Sequence, residues 1–396
     1  MGMGRRSTAR IGGWLVLAAV MLAAVTVTAV ALTRGTSAPP RRPLAVAIHD
    51  ALTGKPVDGV SAHFTVTQHL LPGASNLLSQ SPLLGASGDV WASGHRVKLV
   101  VHSQLGTAEL AFDGHTVTLY QPKQHAAYVL RLPHHVTAAG AKDATDAKHA
   151  SGIPSVAEIN HAIAQLGSTL SFSGAIPGTM AGRPEYTVKI RAKHDSGLVG
   201  PLASAWDAAH GTPLRVALYP RHSGTPAIDF SVTHISYGKL PERDMLVALP
   251  HGTKVTTLHL PSKSEIMKAK SHFEARVETA AKNTTSQFPA VAPATLAGMP
   301  RTVVRRMSSG ANGGAIAVYG HGLGSIVVIE HAATSTAPAG AGSQFLPDKV
   351  TVGTASGNEL ETTLGTIVSF TRGGISYTVL GSQPASTILS AARALR

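Results

Sequence analysis

The stretch Trp206–Gly238 (WDAAHGTPLRVALYPRHSGTPAIDFSVTHISYG) constrains the fold more than any other part of the chain. Apolar residues occupy every second position in two of its runs, Leu214–Leu218 and Ile228–Val232. Alternation with a period of two is typical of a β-strand that has one buried face. The segments DAAHGTP and PRHSGTP, which contain Gly and Pro, predict turns between the runs. The stretch therefore predicts three strands joined by two turns, and it contains no catalytic pattern.

Similar alternation predicts further strands in the first half of the chain. Short alternating segments follow one another from Ala62–Gln68 to Ala126–Leu130, and Asp113-Gly114 between two of them is a strong hairpin signal. Their regular spacing predicts an antiparallel meander that curls into a barrel or half-barrel. Two helices are expected beside it, Leu44–Leu52 and Val156–Leu166, and the second follows a capping-box sequence.

The composition changes past residue 250, and this change predicts the domain organisation. Ser262–Lys282 is charged and helical by composition, and the Pro- and Ala-rich segment Gln287–Pro300 marks a boundary. Strands follow, and Pro384 opens a closing helix that runs to about Leu395. We therefore expect an α+β fold that is mostly antiparallel β. Its domains are predicted at residues 44–250 and 301–396, joined by a linker, 251–300, with a helix at 262–282.

The N-terminal segment Ile11–Leu32 is apolar and uncharged over 22 residues. At 1.5 Å per residue, a helix of this length spans roughly the ~30 Å hydrocarbon core of a bilayer. We expect a transmembrane anchor, with residues 1–10 as a cytoplasmic tail and 33–43 as a linker. The alternative is a cleaved signal peptide, because Ala29-Val30-Ala31 fits a small-x-small cleavage site. Either way the bulk of the chain is extracytoplasmic: a single-pass protein of the cell membrane, or a secreted one if cleaved.

Charge and composition exclude several classes of function. Of the 34 basic residues, six arginines lie in the first 42 positions, and the other 28 face 21 acidic residues, a balance of +7. This balance suits ordinary solubility, or attraction to anionic lipid or a cell-wall polymer. Lys and Arg do not cluster among aromatic residues, so we expect no nucleic-acid binding. The chain has no cysteine, and hence neither disulfides nor a thiol nucleophile.

No motif predicts an enzyme, a metal site or a cofactor. The chain lacks HExxH, GxSxG and a strand–GxGxxG–helix pattern. Asp207, Asp229 and Glu185 lie on or beside predicted strands without a spacing that pairs them as acid and base. What remains is the apolar face of a large sheet, which something must cover. The leucine-rich loop Leu70–Ser87 could cover it, or a lipid tail could lie there.

Four motifs give the first domain a family resemblance. They are Phe64-Thr-Val-Thr-Gln68, Trp91-Ala-Ser-Gly94-His-Arg96, Phe112-Asp-Gly114, and Trp206-Asp207 followed by Gly211-Thr-Pro213-Leu-Arg215-Val216. Through them residues 43–250 resemble the bacterial family that contains the lipoprotein carrier LolA and the sigma-E regulatory protein RseB. The resemblance implies an unclosed (half) β-barrel covering short helices, with an apolar cavity for acyl chains. The separate C-terminal β-rich domain is closer to the regulatory branch.

The resemblance implies a non-enzymatic, membrane-anchored binding protein that holds a lipid or lipoprotein acyl chain. The alternative is an RseB-like regulator of envelope stress, whose domains clasp the extracytoplasmic part of a membrane-spanning partner such as an anti-sigma factor. A third class, a binder of cell-surface polymer, follows from the +7 balance alone. The cavity is predicted to be lined by inward side chains of the first strands: Phe64, Val66, Trp91, Val97, Leu99, Leu110, Phe112 and Leu119.

Overall fold

The computed structural model describes residues 37–54, 57–71, 85–132, 153–258, 290–307, 313–333 and 348–395. These residues form mostly antiparallel β-structure with three α-helices: α1 (Leu44–Thr53), α2 (Val156–Leu166) and α3 (Ala385–Ala394). Among these helices, none is long and apolar enough to cross a bilayer. The predicted anchor Ile11–Leu32, residues 72–84 of the leucine-rich loop and the predicted helix 262–282 lie outside the described residues.

In the part of the chain that the structure describes, the first sheet has 13 strands and does not close. Its order is β13-β6-β5-β4-β3-β2-β1-β12-β11-β10-β9-β7, with β8 paired to β9. All pairs are antiparallel except β13 with β6, which is parallel. The strands are β1 (Val60–Gln68), β2 (Ala86–Ser93), β3 (Arg96–Ser103), β4 (Gly106–Phe112), β5 (Thr116–Gln121), β6 (Ala126–Arg131), β7 (Leu170–Phe172), β8 (Ile176–Met180), β9 (Arg183–Ala192), β10 (Val199–Asp207), β11 (Pro213–Pro220), β12 (Ile228–Tyr237) and β13 (Lys254–Leu258).

Local chemistry explains several of these elements. The Asp113 carboxylate accepts the backbone N–H groups of His115 and Thr116 at 2.9 and 2.7 Å, which fixes the predicted hairpin turn between β4 and β5. The predicted capping box is confirmed: the Ser155 hydroxyl accepts from the Glu158 amide, and the Glu158 carboxylate accepts from the Ser155 amide. The three strands predicted in Trp206–Gly238 are also confirmed, as the end of β10, β11 and β12.

The first sheet extends beyond the predicted limit at residue 250. β13 lies in the segment predicted as linker and pairs with β6 from Lys254 to Leu258. Its sequence carries no alternation of buried and exposed positions, because the strand is at the sheet edge and its first four residues are exposed. A strand of this kind gives no periodic signal, so only the pairing reveals it.

The second sheet has eight antiparallel strands in the order β14-β15-β16-β17-β21-β20-β19-β18. Helix α3 packs on one face, where Ile388, Ala391 and Ala392 join a fully buried cluster with Val368 and Val379. The strands are β14 (Thr295–Leu296), β15 (Met299–Met307), β16 (Gly314–Tyr319), β17 (Ile326–Ala332), β18 (Asp348–Val352), β19 (Ala355–Thr362), β20 (Gly365–Arg372) and β21 (Ile375–Gly381).

The two sheets are joined by main-chain hydrogen bonds. The Leu198 amide donates to the Ser382 carbonyl at 2.8 Å, and the Thr363 amide donates to the Leu70 carbonyl at 2.7 Å. At this junction Gly197 has a φ of +57°, and a Cβ placed on it would lie 1.8 Å from the Ser382 carbonyl oxygen. Only glycine fits such an approach without displacing the neighbouring backbone.

Candidate functional site

The register of the first sheet places seven of the eight predicted cavity residues on one face, and five of them lie together in its core. Residues that pair across antiparallel strands point to the same side of a sheet. Leu99 lies opposite Leu110, and Leu110 opposite Leu119, and this row continues to Ala62 through Val90. Phe64 and Val66 follow Ala62 on the same face of β1. All five belong to one core cluster and are between 1% and 6% exposed: Phe64, Val66, Leu99, Leu110 and Leu119.

The other three predicted residues lie outside this core cluster. Val97 and Phe112 pair with each other one row further along the same face, and both are half-buried. Trp91 lies on the opposite face, because Val90 takes the inward position and Trp91 pairs with Lys98. The Lys98 ammonium is 5.8 Å from the centre of the Trp91 ring. Trp91 therefore does not line the predicted cavity.

Protein atoms fill the face around the core cluster. Phe64 covers Gly88, where an added Cβ would lie 2.8 Å from the Phe64 ring. Met180 and Ala181, from the end of β8 and the turn into β9, pack against the same cluster. Side chains that are this tightly enclosed by the chain itself form its core, so a ligand site has to be sought beyond them.

An open apolar surface continues this face across β12, β11, β10, β9 and β7. One row runs through five cross-strand neighbours, and a second row beside it includes Val216 and Phe230. Phe230 connects the surface to the core, with ring centroids 5.2 Å from Phe64. Val216 and Ile228 are 41% and 38% exposed. We call these residues the apolar band: Phe172, Ile190, Leu202, Leu218, Ile228, Val216 and Phe230.

Sequence reasoning placed the cavity on the first five strands and missed the band. The alternation in Leu214–Leu218 and Ile228–Val232 was a visible signal that these strands have an apolar face. What the sequence does not contain is the pairing of β1 with β12, which makes the two halves of that face continuous.

A buried polar network lies where β9, β10 and β12 meet. Asp207 is fully buried and accepts from Arg183 Nε at 2.8 Å and from the Tyr237 hydroxyl at 3.0 Å. Its other oxygen accepts the backbone amides of Ala209 and His210 at 2.8 and 3.0 Å. The imidazole of His210 stacks on the Tyr237 ring, with centroids 3.9 Å apart. These contacts fix the turn between β10 and β11.

The electrostatics of this network suit a structural role. Burial opposes ionisation of Asp207, but hydrogen bonds from His210 and Arg183 outweigh it and hold the pKa of the carboxyl well below its usual range. Burial, with the Asp207 carboxylate nearby, raises the pKa of the Tyr237 hydroxyl well above its usual value. Neither group can exchange a proton near neutral pH, so the network is a poor acid–base device.

The other two acids of interest are also engaged. The Asp229 carboxylate accepts hydrogen bonds from Arg215 Nε at 2.9 Å and from the Ser231 hydroxyl at 2.7 Å. Glu185 accepts from the Thr187 hydroxyl at 2.8 Å, and burial raises the pKa of its carboxyl. Within the described parts of the chain, no three His, Asp or Glu side chains are grouped as metal ligands would be.

A cleft of about 390 Å³ opens where the two sheets meet. The first unit contributes Arg221 and two histidines, and the second contributes Glu361 and two threonines; between these polar groups most of the exposed wall is apolar. Its lining is His69, Leu198, Pro220, Arg221, His222, Ser223, Thr225, Glu361, Thr362, Thr363 and Pro384.

Comparison with solved structures finds similar chains. MucB in complex with MucA(peri) is 16% identical, with 89% of this chain and 96% of that chain covered and a TM-score of 0.39. The Pseudomonas aeruginosa MucA/MucB complex is 16% identical, with 88% and 94% covered and a TM-score of 0.38. A LolA superfamily protein from Nitrosomonas europaea is 8% identical, with 52% and 98% covered and a TM-score of 0.23. The resemblance to LolA/RseB-like proteins that the motifs indicated is found again here. No protein-family model matches the chain, and no curated protein does.

Proposed function

We propose that this chain is a non-enzymatic, extracytoplasmic binding protein that holds a lipid or lipoprotein acyl chain along the apolar band. The observation that carries the proposal is the unbroken row Phe172–Ile190–Leu202–Leu218–Ile228, which crosses five strands and stays partly open to solvent. Neighbouring strands lie ~4.8 Å apart, so the row is about 19 Å long. This length is comparable with that of an extended long-chain acyl group.

The energy available along the band is adequate for such a ligand. Each methylene group that moves from water to an apolar surface contributes ~0.8 kcal/mol. The band adds further apolar area, since Val216 and Ile228 are themselves exposed and would be covered by the ligand. A predicted anchor at Ile11–Leu32 would keep this surface beside the membrane that supplies the lipid. Immunoblotting for the mass of the mature chain tests the anchor, because signal cleavage would remove about 31 residues.

Photo-crosslinking tests the acyl site in the full chain. Membranes that contain the protein are incubated with a diazirine-bearing fatty acid, irradiated, and analysed by mass spectrometry of the peptides. We expect the label on β10, β11 and β12, and a loss of at least fivefold in the double variant Val216→Asp/Ile228→Asp. Both positions are exposed, so the substitutions leave the core intact.

The matched control is Val255→Asp, at a position 52% exposed on β13 of the same sheet. This variant should label as the wild type does. Label on β1–β5 alone, or an equal loss in the control, would remove the band as the acyl site.

The cleft between the sheets favours a second candidate, an RseB-like regulator that clasps a membrane-spanning partner such as an anti-sigma factor. Its walls come from both units and combine the charged side chains of Arg221 and Glu361 with apolar surface, a mixture that suits a peptide segment. A photo-reactive amino acid at His222 tests this, with the same group at exposed His251 as the control. Cross-linking to a single-pass regulator from His222 but not from His251 is the expected result. Recovery of lipoproteins alone would argue for the carrier.

A further inference from the structure

Among the described residues, one edge of the second sheet is left largely unpaired. β14 covers only the beginning of β15, where Thr295 and Leu296 pair with Pro300 and Met299. The Arg301 amide still donates to the Ala294 carbonyl at 2.9 Å. From Val303 to Met307 the strand pairs with β16 on one side, and no described strand lies on the other. The main-chain N–H and C=O groups of an edge strand form a template that another strand can extend.

The side chains along this edge are basic, with one aliphatic residue among them. Arg305 and Arg306 are exposed, and neither forms an ion pair with any residue that the structure describes. Val303 is 42% exposed. Charged residues at a sheet edge commonly prevent pairing with a second copy, because like charges would then face each other. The same charges attract a strand of opposite sign.

Val303 also ends an aliphatic row that crosses the sheet. It pairs with Val318 of β16, and the row continues through Val327, Leu380 and Ile367. All of these side chains lie on the face opposite α3, since their sequence neighbours Ala317, Val328 and Val379 belong to the core under that helix. A strand added at the edge would continue this row with its own residue opposite Val303.

We propose that the outer edge of β15 binds an acidic, extended peptide by strand addition. Matching each edge residue to its chemical complement gives an apolar residue opposite Val303 and acidic residues opposite Arg305 and Arg306. From its N-terminus to its C-terminus, an antiparallel peptide then has the sequence acidic-acidic-x-apolar, and a parallel peptide has the reverse order. Main-chain hydrogen bonds supply the part of the affinity that does not depend on the peptide sequence, and the three complementary side chains supply selectivity. This surface is distinct from the apolar band and from the cleft.

The test uses the full-length chain in a mild detergent and a fluorescein-labelled peptide, TEETVTV, followed by anisotropy. We expect saturable binding that weakens as salt rises, because the arginines are exposed. The double variant Arg305→Glu/Arg306→Glu should weaken binding at least tenfold. The same variant should gain affinity for the charge-reversed peptide TKKTVTV. Circular dichroism confirms that the variants are folded.

The matched control is Lys349→Glu, on edge strand β18 at the other side of the same sheet. It should bind TEETVTV within about twofold of the wild type. Two further versions of the peptide carry N-methyl groups at alternate residues, one at the odd positions and the other at the even positions. One of the two should bind at least tenfold more weakly, because only one set of amides faces the edge. Absence of binding, an equal loss in Lys349→Glu, or equal binding of both N-methylated peptides would overturn the proposal. So would a dimer of the wild type that the double variant abolishes.

Discussion

Replacing Asp207 with Asn isolates the charge at the centre of the buried network. The side chain keeps its shape, but one carboxylate oxygen becomes an amide that can only donate. Asp207 is 0% exposed and has no room to turn that amide toward solvent. If Oδ1 keeps the two backbone N–H groups, the new amide faces Arg183 Nε and the Tyr237 hydroxyl, which donate to Oδ2. Arg183 then loses its counter-ion.

The magnitude follows from the surroundings of the pair. Removing one partner of a buried ion pair costs about 3–5 kcal/mol, because the other charge stays buried and unpaired. The side chain of Arg183 is 30% exposed, so water partly compensates it. We therefore expect a loss near the lower limit, about 3 kcal/mol. Against a typical total of 5–15 kcal/mol, this is a large fraction of the stability of the first unit.

Urea unfolding, followed by a signal from the first unit, measures this loss. The control is Asp113→Asn, because Asp113 also accepts two backbone N–H groups in a turn but is exposed. Asn retains the accepting oxygen there, so we expect a change below about 0.5 kcal/mol. A loss under 1 kcal/mol for Asp207→Asn, or equal losses in the two variants, would refute the account of a buried charge at the turn.

Three further outcomes follow from pKa shifts and from backbone geometry. The pKa of Asp207 in the folded protein lies below the value of about 3.9 in the unfolded chain. The ionised carboxylate therefore stabilises the fold fully above that pH, and this stabilisation is lost as pH falls. The difference in free energy of unfolding in urea between the wild type and Asp207→Asn should become smaller below about pH 4. Burial raises the pKa of the Glu330 carboxyl, and no described residue forms a hydrogen bond with its buried Oε1. Ionisation of Glu330 therefore lowers the stability of the folded state as pH rises above about 4.3, the pKa of a free glutamate. Glu330→Gln should therefore stabilise the second unit by ~1 kcal/mol at pH 7 in thermal unfolding, with no gain at pH 4. Gly211→Ala should lower the free energy of unfolding in urea by about 2–3 kcal/mol, because φ is +66° and the new Cβ would lie 2.4 Å from the Ala51 carbonyl oxygen. Gly85→Ala is the control: φ is +59° there but no atom lies within 4 Å, so the loss should be only the ~1–2 kcal/mol of backbone strain.

Much of the local structure could be predicted because its causes are local. The capping box fixes the start of α2, and the Asp113 carboxylate fixes a hairpin turn, each within four residues. Period-two alternation likewise identified β11 and β12, the strands on both sides of the second predicted turn. These signals depend on neighbours in the chain, which a sequence displays directly.

The site was harder to predict because it depends on pairing. Val90 and Trp91 are adjacent and both apolar, and only the register with β3 decides which of them is inward. The apolar band and the Asp207 network both require β12 to lie between β1 and β11, although β1 is more than 150 residues away in the chain. Arg183 lies in no motif, and nothing in the sequence links it or Tyr237 to Asp207; they meet because three separate strands converge.

The junction between the two sheets has a consequence for how the chain tolerates change. Many of its contacts join backbone carbonyls and amides, and the backbones approach closely at glycines: Gly197 against Ser382, and Gly322 and Gly324 against Asp195. Substitution of surrounding side chains leaves such contacts in place, because every residue type carries the same backbone. A single methyl group at Gly197 would instead act as a wedge between the units. The relative placement of the two halves can therefore persist through extensive divergence of sequence, provided that these few positions stay without a side chain.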